Sequence, residues 1–193
     1  MSKNTLLISD AMILERTAIH GNTDPKLLYP EIKVAQDMYI LPILGTALYD
    51  KLISDITTTG TTTGAYKTLL DDYIIDPLIY YVLAELPIGI SYQFWNKGVL
   101  RKQGDNTELP TMSELVDLSN RYRNRAEWYG ERLMLYLKQN ASPSLLPEYV
   151  APGSGLDTIV PDENTFTMPI YLGDGYDDVS MDKNNCQKKD SWQ

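Results

Sequence analysis

The chain has 193 residues, of which 43% are hydrophobic, and a formal net charge of −9. This length suits one domain of ordinary size, or one domain with an arm, and argues against two domains. The charge argues against a protein that holds nucleic acid by neutralising phosphates, because that binding requires a surplus of lysine and arginine on one face. It does not exclude a protein past which DNA slides without being held.

The chain contains one cysteine, Cys186, and one histidine, His20. A single cysteine excludes an internal disulfide, and these two residues do not match the usual spacing of zinc ligands. The N-terminal residues include no apolar run of signal-peptide length. We therefore expect a protein that is made in the cytoplasm and uses no metal and no cofactor.

The first two helices are predicted by their caps. One helix follows Ser9 and stops near residues 20–22. A second helix begins at Asp24 and Pro25, because an aspartate cap followed by proline at the first helical position is a strong start signal. We expect this second helix to end before Pro42.

Residues 41–56 predict a turn followed by a short third helix that is capped by Thr46. The next segment, TTTGTTTG at residues 57–64, consists of threonine and glycine alone. Such a segment cannot bury a core and contains no strong helix former, so we expect a flexible surface loop.

Residues 65–95 predict the longest apolar helix, either as one kinked rod or as two rods that meet at Asp76 and Pro77. Three adjacent rows of side chains at helical spacing are apolar. A helix that is apolar on most sides must be surrounded by other protein. The sequence allows two explanations: the domain covers the helix by itself, or one row meets a neighbouring subunit.

The aromatic residues of this stretch favour a neighbouring subunit, because tyrosine and tryptophan are enriched where proteins meet. We expect five residues at a subunit interface, the last of them on the final helix: Tyr80, Tyr92, Phe94, Trp95 and Trp128. A membrane span is not predicted. The longest uncharged run of this stretch, residues 86–96, is well short of the roughly 20 apolar residues that a bilayer requires, and Pro77, Pro87 and Gly89 weaken a continuous helix.

Residues 96–111 predict a connection with turn signals and a possible short hairpin around Val99 and Leu100. The last helix begins at a capping box formed by Thr111 and Glu114. Its apolar residues keep helical spacing to about Asn140.

The last helix carries the one basic cluster of the sequence. Arg121, Arg125 and Arg132 are spaced so that they share one helical face. We interpret this face either as a solvated surface, with a local pair between Arg123 and Glu127, or as a patch for an acidic protein partner. Nucleic acid is the least favoured ligand for it.

The composition changes after residue 145. Prolines are frequent, no helical or strand period is sustained, and scattered aromatic residues remain. We expect a helical domain over residues 1–145 and an extended arm over residues 146–193. The arm would dock on a partner through aromatic anchors, namely Tyr149, Phe166, Tyr171 and Tyr176.

Two acidic groups are the candidates for catalysis: Asp71 with Asp72, and the DGYDD segment at residues 174–178. Adjacent aspartates on a helix point about 100° apart, and DGYDD does not follow the spacing of a helix-loop-helix calcium site. A small carboxylate-dependent hydrolase and a monomeric peptide-binding module are kept as alternatives. We assign no catalytic, cofactor-binding or metal-binding residue.

The pattern as a whole predicts an all-α fold, a small antiparallel bundle of about four to five helices with an extended arm. Three segments carry a resemblance: YPEIKVAQDMYILPILGTALYDKL (29–52), NKGV (96–99) and AEWYGERLMLYLKQN (126–140). In this order, around a threonine-rich loop and a long apolar helix, they resemble the head-to-tail adaptor, or neck ring, proteins of tailed bacteriophages. The ring proteins of crAss-like phages are the most similar, and the resemblance covers residues 5–149.

This resemblance implies a function in the virion neck, between capsid and tail. It implies a homo-oligomeric ring, usually a dodecamer, that docks under the portal protein and extends the DNA channel. The ring would offer a platform to later tail or neck proteins, and DNA would pass through it without specific binding. The resemblance implies no catalytic residue.

Overall fold

The computed structural model describes residues 4–96, 98–101, 110–155 and 157–162. These residues form an all-α fold with one short β-hairpin, so the predicted fold class is confirmed. The helices are α1 (Asp10–Arg16), α2 (Pro25–Ala35), α3 (Leu41–Leu44), α4 (Thr46–Thr59), α5 (Gly64–Thr68), α6 (Ile75–Ser91), α7 (Met112–Asn140) and α8 (Pro147–Val150). Two π-helical segments, π1 (Gln36–Ile40) and π2 (Leu69–Ile74), join α2 to α3 and α5 to α6.

Most helix starts follow the predicted caps. Ser9 accepts a hydrogen bond from Met12 N, and Asp24 accepts one from Lys26 N. At the start of α7, Thr111 and Glu114 exchange the two bonds of a capping box. The predicted Thr46 cap is wrong: Gly45 is the cap residue of α4, and the Thr46 hydroxyl accepts a hydrogen bond from Ile159 N instead.

Both π-helical segments stand just before a proline that lies inside a helical rod. Leu41 N donates to Gln36 O in π1, and Ile75 N donates to Leu70 O in π2, each across five residues. The wider turn accommodates a proline ring that would otherwise meet the carbonyl four residues earlier. The prediction that the second helix ends before Pro42 is therefore wrong.

The second rod is continuous in the same way. It runs from Gly64 to Ser91 through Pro77 and Pro87, although these prolines were expected to weaken it. By length and composition this rod could cross a membrane, and 56% of its most apolar window is buried inside the fold. A buried core helix has the same length and composition, so this finding is weak evidence for a membrane span.

The core is built around α6, which packs between α2 and α7. From Ile75 to Leu86 most of its side chains are buried by the domain itself. The first of the two explanations for the apolar rod therefore holds over most of its length. The part that the domain leaves partly open is the C-terminal end, from Leu83 to Ile90, where Ile88 is exposed.

The ends of these helices differ from the predictions in two places. The threonine segment is not wholly a loop, because α4 continues to Thr59 and the hydroxyls of Thr57 and Thr59 donate to carbonyls one turn back. The long rod ends at Ser91, not at Trp95. Strand β1 (Tyr92–Trp95) pairs antiparallel with β2 (Gly98–Arg101), which includes the expected hairpin around Val99 and Leu100.

The helical unit extends beyond residue 145. Leu146 and Tyr149 are buried in the same core as α6, and α8 packs against α4. Tyr149 was predicted as an anchor for a partner, and this prediction is wrong because its side chain already fills the core of its own subunit. Any arm that is free for a partner therefore starts later than predicted.

Candidate functional site

Helices α6 and α7 run antiparallel and bring tyrosines together in pairs. The rings of Tyr73 and Tyr136 stack at 3.8 Å between centroids, and those of Tyr80 and Tyr129 stack at 5.3 Å. From the first pair to the second, the position changes by seven residues on each helix, which is about two helical turns. The pairs therefore repeat along one seam between the two helices. Tyr122 is the next tyrosine on α7 at this spacing. We call these five tyrosines, together with Arg125 and Arg132 between them, the tyrosine–arginine ladder.

The two arginines of the ladder lie beside tyrosine rings. The Arg132 guanidinium lies 4.8 Å from the centroid of Tyr73, and that of Arg125 lies 5.9 Å from the centroid of Tyr122. Cation–π contacts of this kind hold the cation in place without neutralising its charge. Arg121, Arg125 and Arg132 are all exposed on this side of α7, as expected from their spacing. Their role with an acidic partner stays a prediction.

A groove opens at one end of the ladder, where the domain leaves the end of α6 uncovered. It has a volume of about 280 Å³. Its lining is almost wholly apolar and comes from the segment after α1, from the end of α6 and from the start of α7: Ala18, Ile19, Leu83, Leu86, Pro87, Ile90, Ser91, Leu115, Leu118 and Tyr122. Such a groove suits an apolar or aromatic side chain from another molecule.

Trp128 is the largest exposed apolar side chain beside the ladder. Its ring makes an edge contact with Tyr129 at 4.9 Å, yet 60% of the residue is exposed. Tryptophans buried at the centre of protein interfaces often contribute much of the binding energy. The structure thus places the predicted Trp128 on an open surface next to Tyr80, which is half-buried.

Of the remaining predicted interface residues, Tyr92 is the one whose side chain the structure describes. Tyr92 is half-buried, and its hydroxyl lies 4.0 Å from Met112 Sδ. Phe94 and Trp95 belong to β1, but their side chains lie outside the described part of the structure. Asp71 and Asp72, the candidate carboxylates on π2, are exposed, and Asp71 lies 3.8 Å from Lys67 in a local ion pair.

A polar cluster that the sequence did not reveal lies on the other flank of α7. The Glu85 carboxylate on α6 accepts hydrogen bonds from the Tyr39 hydroxyl at 2.6 Å and from Arg123 Nη2 at 3.1 Å. The predicted pair between Arg123 and Glu127 is replaced by this longer-range pair. The Tyr39 ring also stacks on Tyr81 at 4.1 Å. Partial burial and the Glu85 charge raise the pKa of Tyr39, and burial raises that of Tyr81 to about 12.

Glu31 extends this cluster toward α2. Burial first, and the negative charge of Glu85 second, raise the pKa of its carboxyl above the ordinary value. The Glu31 carboxylate lies directly over Gly89, where a Cβ atom would come within 2.9 Å of Oε1. The cluster thus joins π1, α2, α6 and α7 on one flank. Its hydrogen bonds link these elements to one another, which is a structural role.

The start of the arm is fixed to the domain beside α4. Thr46 N donates to Ile159 O at 3.0 Å, and Asp162 N donates to Pro42 O at 2.8 Å. Gly45, at φ +74, lies so close to this segment that a Cβ atom would come within 2.7 Å of the Pro161 ring. The remaining predicted anchors, Phe166, Tyr171 and Tyr176, lie outside the described residues.

Comparison with known proteins gives one match. No curated protein and no solved structure matches the chain. One family model, described as a family of unknown function (DUF6712), matches residues 40–155. The matched region begins at the end of π1 and continues past α8, so it includes the ladder, α6 and the part of the groove that α6 and α7 line. Because it covers more than half of the sequence, the chain belongs to the DUF6712 family.

Proposed function

We propose that the chain is a structural virion protein that assembles as a head-to-tail adaptor ring under the portal. In this function it extends the DNA channel and receives later tail or neck components. The sequence resemblance to neck ring proteins motivates the proposal. One structural observation supports it most: two apolar patches are exposed on opposite flanks of the same subunit.

The first patch is the Trp128 patch, which consists of Trp128 and the edge of Tyr129 that it contacts. The second is the Met38 patch, which consists of Met38 on π1 and Val34 one turn earlier on α2. Trp128 and Met38 are each 60% exposed. Trp128 lies on the side of α7 that carries Tyr129. Segment π1 packs through Tyr39 on Tyr81 of α6, whose hydroxyl faces Gly130 on another side of α7.

Different patches on opposite flanks favour a head-to-tail contact. When one surface of a subunit meets a different surface of the next, the contact repeats, and it closes into a ring if the rotation allows. We therefore assign the Trp128 patch of one copy to the Met38 patch of its neighbour. Covering a tryptophan at such a contact contributes a few kcal/mol, on the order of an interface hot spot.

The charge of the chain agrees with a channel for DNA. With a formal net charge of −9, a ring does not form the many lysine and arginine contacts to phosphate that would hold a duplex. Weak binding is what a passage requires, because the genome must move through it.

The head-to-tail contact is tested with two variants that each lose one patch, Trp128→Ser and Met38→Ser. Neither is expected to assemble alone, with or without purified portal protein. Mixed together, they retain one intact contact and should form a one-to-one dimer that grows no further. Native mass spectrometry measures these states, with the unmodified chain and portal as the reference that forms the ring.

Leu145→Ser is the matched control, because Leu145 is exposed but lies in the turn after α7. This variant should assemble like the unmodified chain. The proposed contact is wrong if Trp128→Ser and Met38→Ser each assemble normally, or if their mixture forms no dimer. The adaptor function itself is wrong if the unmodified chain neither binds portal nor forms a ring in its presence.

The groove also favours a second function, a monomeric module that binds an acidic peptide. An open apolar groove next to exposed arginines suits such a ligand. This function would replace the first if the chain stayed monomeric with portal, bound an acidic peptide, and lost that binding on changing Arg121 and Arg125 to alanine.

A further inference from the structure

We propose that the tyrosine–arginine ladder is the docking surface for residues 170–178, IYLGDGYDD, of the arm of a neighbouring copy. This inference rests on the proposed ring and names a second contact between neighbouring subunits, in addition to that of the Trp128 and Met38 patches. It joins two observations that the adaptor function alone does not connect: the exposed arginines between stacked tyrosines on α7, and the acidic, aromatic sequence in the arm.

The chemistry of the two partners is complementary. Residues 170–178 include Tyr171, Tyr176 and three aspartates, at positions 174, 177 and 178. The ladder offers aromatic edges, half-buried tyrosines and the unneutralised cations of Arg125 and Arg132. Arginine binds carboxylates by paired hydrogen bonds, and its contact with a tyrosine ring already orients it for this.

The spacing of the charges agrees as well. Arg125 and Arg132 are seven residues apart on one helix, which is about 10 Å along the axis at 1.5 Å per residue. In an extended polyproline II conformation, which has three residues per turn and a rise of about 3.1 Å per residue, residues that are three apart share one face and are separated by about 9 Å. Asp174 and Asp177 therefore match the two arginines when the segment lies extended along α7.

The position of the anchor favours the arm of another copy over the arm of the same copy. The last described residue, Asp162, is hydrogen-bonded to Pro42 at the start of α3. This end of α3 faces Gly130, since a Cβ atom there would lie 3.7 Å from Ile43 Cδ1. Gly130 follows Tyr129 of the ladder, and consecutive helical residues point about 100° apart.

Helix α6 covers the short arc between Gly130 and Tyr129, because Tyr81 faces the first and Tyr80 stacks on the second. The path from the anchor to the ladder of the same subunit therefore runs around the outer side of α7. Residues 163–169 span at most about 25 Å when fully extended. To reach its own ladder, this short segment would have to wrap around a helix about 10 Å in diameter. It would also pass the exposed Glu127 and Glu131, whose charge repels that of the arm. A head-to-tail neighbour presents its ladder on the side where the anchor releases the arm.

Photo-crosslinking in the assembled full-length chain tests the contact directly. A benzophenone amino acid replaces Tyr176, and copies with natural and heavy nitrogen are mixed before assembly with portal. We expect crosslinks from position 176 to residues 121–136, and we expect them in peptide pairs that combine the two isotopes. Crosslinks confined to pairs of one isotope, or crosslinks to other regions, would overturn the proposal.

A peptide assay separates this inference from the ring itself. A fluorescent peptide of residues 168–180 is titrated into the full-length chain whose own arm carries Asp174→Asn, Asp177→Asn and Asp178→Asn. We expect saturable binding that is at least tenfold weaker when the chain also carries Arg132→Glu. Lys26→Glu, the same charge change on exposed Lys26 of α2, should leave the affinity within twofold.

The two assays have distinguishable failures. Peptide binding that depends on Arg132, in a chain that forms no ring, supports the ladder and refutes the adaptor function. A ring whose subunits bind no peptide and crosslink elsewhere refutes the ladder and leaves the adaptor function intact. Equal loss of peptide binding in Arg132→Glu and Lys26→Glu would show attraction by net charge alone, which also overturns the proposal.

Discussion

The hydroxyl of Tyr39 donates a 2.6 Å hydrogen bond to the carboxylate of Glu85 and so joins π1 to α6. The same carboxylate accepts from Arg123, which joins α6 to α7. One charged group therefore ties the central helix to both of its neighbours, on the flank opposite the ladder. Around Glu85 this flank has fixed side chains, whereas the ladder flank presents exposed ones, and in the proposed ring each flank also carries one of the two exposed apolar patches.

The Tyr39 hydroxyl should contribute measurably to stability. Tyr39→Phe keeps the ring that stacks on Tyr81 and removes only the donor to Glu85. Because hydrogen bonds to charged groups contribute about 1.5–3 kcal/mol, and because this one is only partly buried, we expect a loss of about 1–2 kcal/mol in the free energy of unfolding. Urea denaturation measures it.

Tyr29→Phe is the control for Tyr39→Phe, since Tyr29 is an exposed tyrosine of the same helical rod. It should change the free energy of unfolding by less than about 0.5 kcal/mol. Equal values for the two variants would contradict a stabilising role for the bond to Glu85.

Glu31 predicts a pH dependence of stability. Burial and the Glu85 charge raise the pKa of Glu31 in the folded state above its ordinary value of 4.5. The folded state then binds this proton more tightly than the unfolded state, so Glu31 lowers stability progressively as pH rises above about 4.5. Glu31→Gln removes this cost, and we expect it to raise the melting temperature at pH 7 and to have little effect at pH 4.

The comparison for Glu31→Gln is Glu131→Gln, a change at an exposed position in the middle of α7. The gain in melting temperature at pH 7 should be larger for Glu31→Gln than for Glu131→Gln. A Glu31→Gln variant that is less stable at pH 7 than the unmodified chain would show that the carboxylate is held by attractive contacts.

Much of the fold follows from local sequence signals. Ser9, Asp24 and the pair Thr111–Glu114 mark helix starts correctly, because a cap depends only on residues a few positions away. The arginines of α7 share a face because helical spacing dictates it. The Trp128 patch was partly predicted, since aromatic side chains at surface spacing favour an interface.

The features that the sequence did not predict depend on distant partners. Nothing near Pro42 indicates that π1 will allow the rod to continue. The pairing of Arg123 with Glu85 joins two helices, and a local search finds only the nearer Glu127. Tyr149 lies in a proline-rich segment typical of an extended arm, yet its burial depends on a gap beside α4. The stacking of Tyr80 on Tyr129 also becomes visible only when α6 and α7 are aligned.

Gly45 should control the docking of the arm. Its φ of +74 with ψ 159 is a backbone conformation that favours glycine, and a Cβ atom would meet Pro161. We expect Gly45→Ala to cost on the order of 1–3 kcal/mol and to release residues 157–162 from α4. Limited proteolysis should then cut this segment several times faster than in the unmodified chain.

Gly60→Ala separates backbone strain from the collision with Pro161. Gly60 also has φ +74, but a Cβ atom there meets nothing within 4 Å. This variant should lose about 1 kcal/mol with no change in the cleavage rate at residues 157–162. If both variants expose the segment equally, the contact between Gly45 and Pro161 is not what holds it.

Ser119 should stabilise the packing of α7 on α6, the two helices whose contact also holds the tyrosine pairs of the ladder. Its buried hydroxyl donates a 2.6 Å hydrogen bond to the carbonyl oxygen of Ala84. Ser119→Ala loses this hydrogen bond. Ser113→Ala, at an exposed position of the same helix, is the control and gains helix propensity on the order of 0.5 kcal/mol. We expect Ser119→Ala to be about 1 kcal/mol less stable than Ser113→Ala in urea denaturation. Equal stabilities would mean that the Ser119 hydrogen bond adds nothing to the packing, the tyrosine pairs and the Arg123–Glu85 pair that also join the two helices.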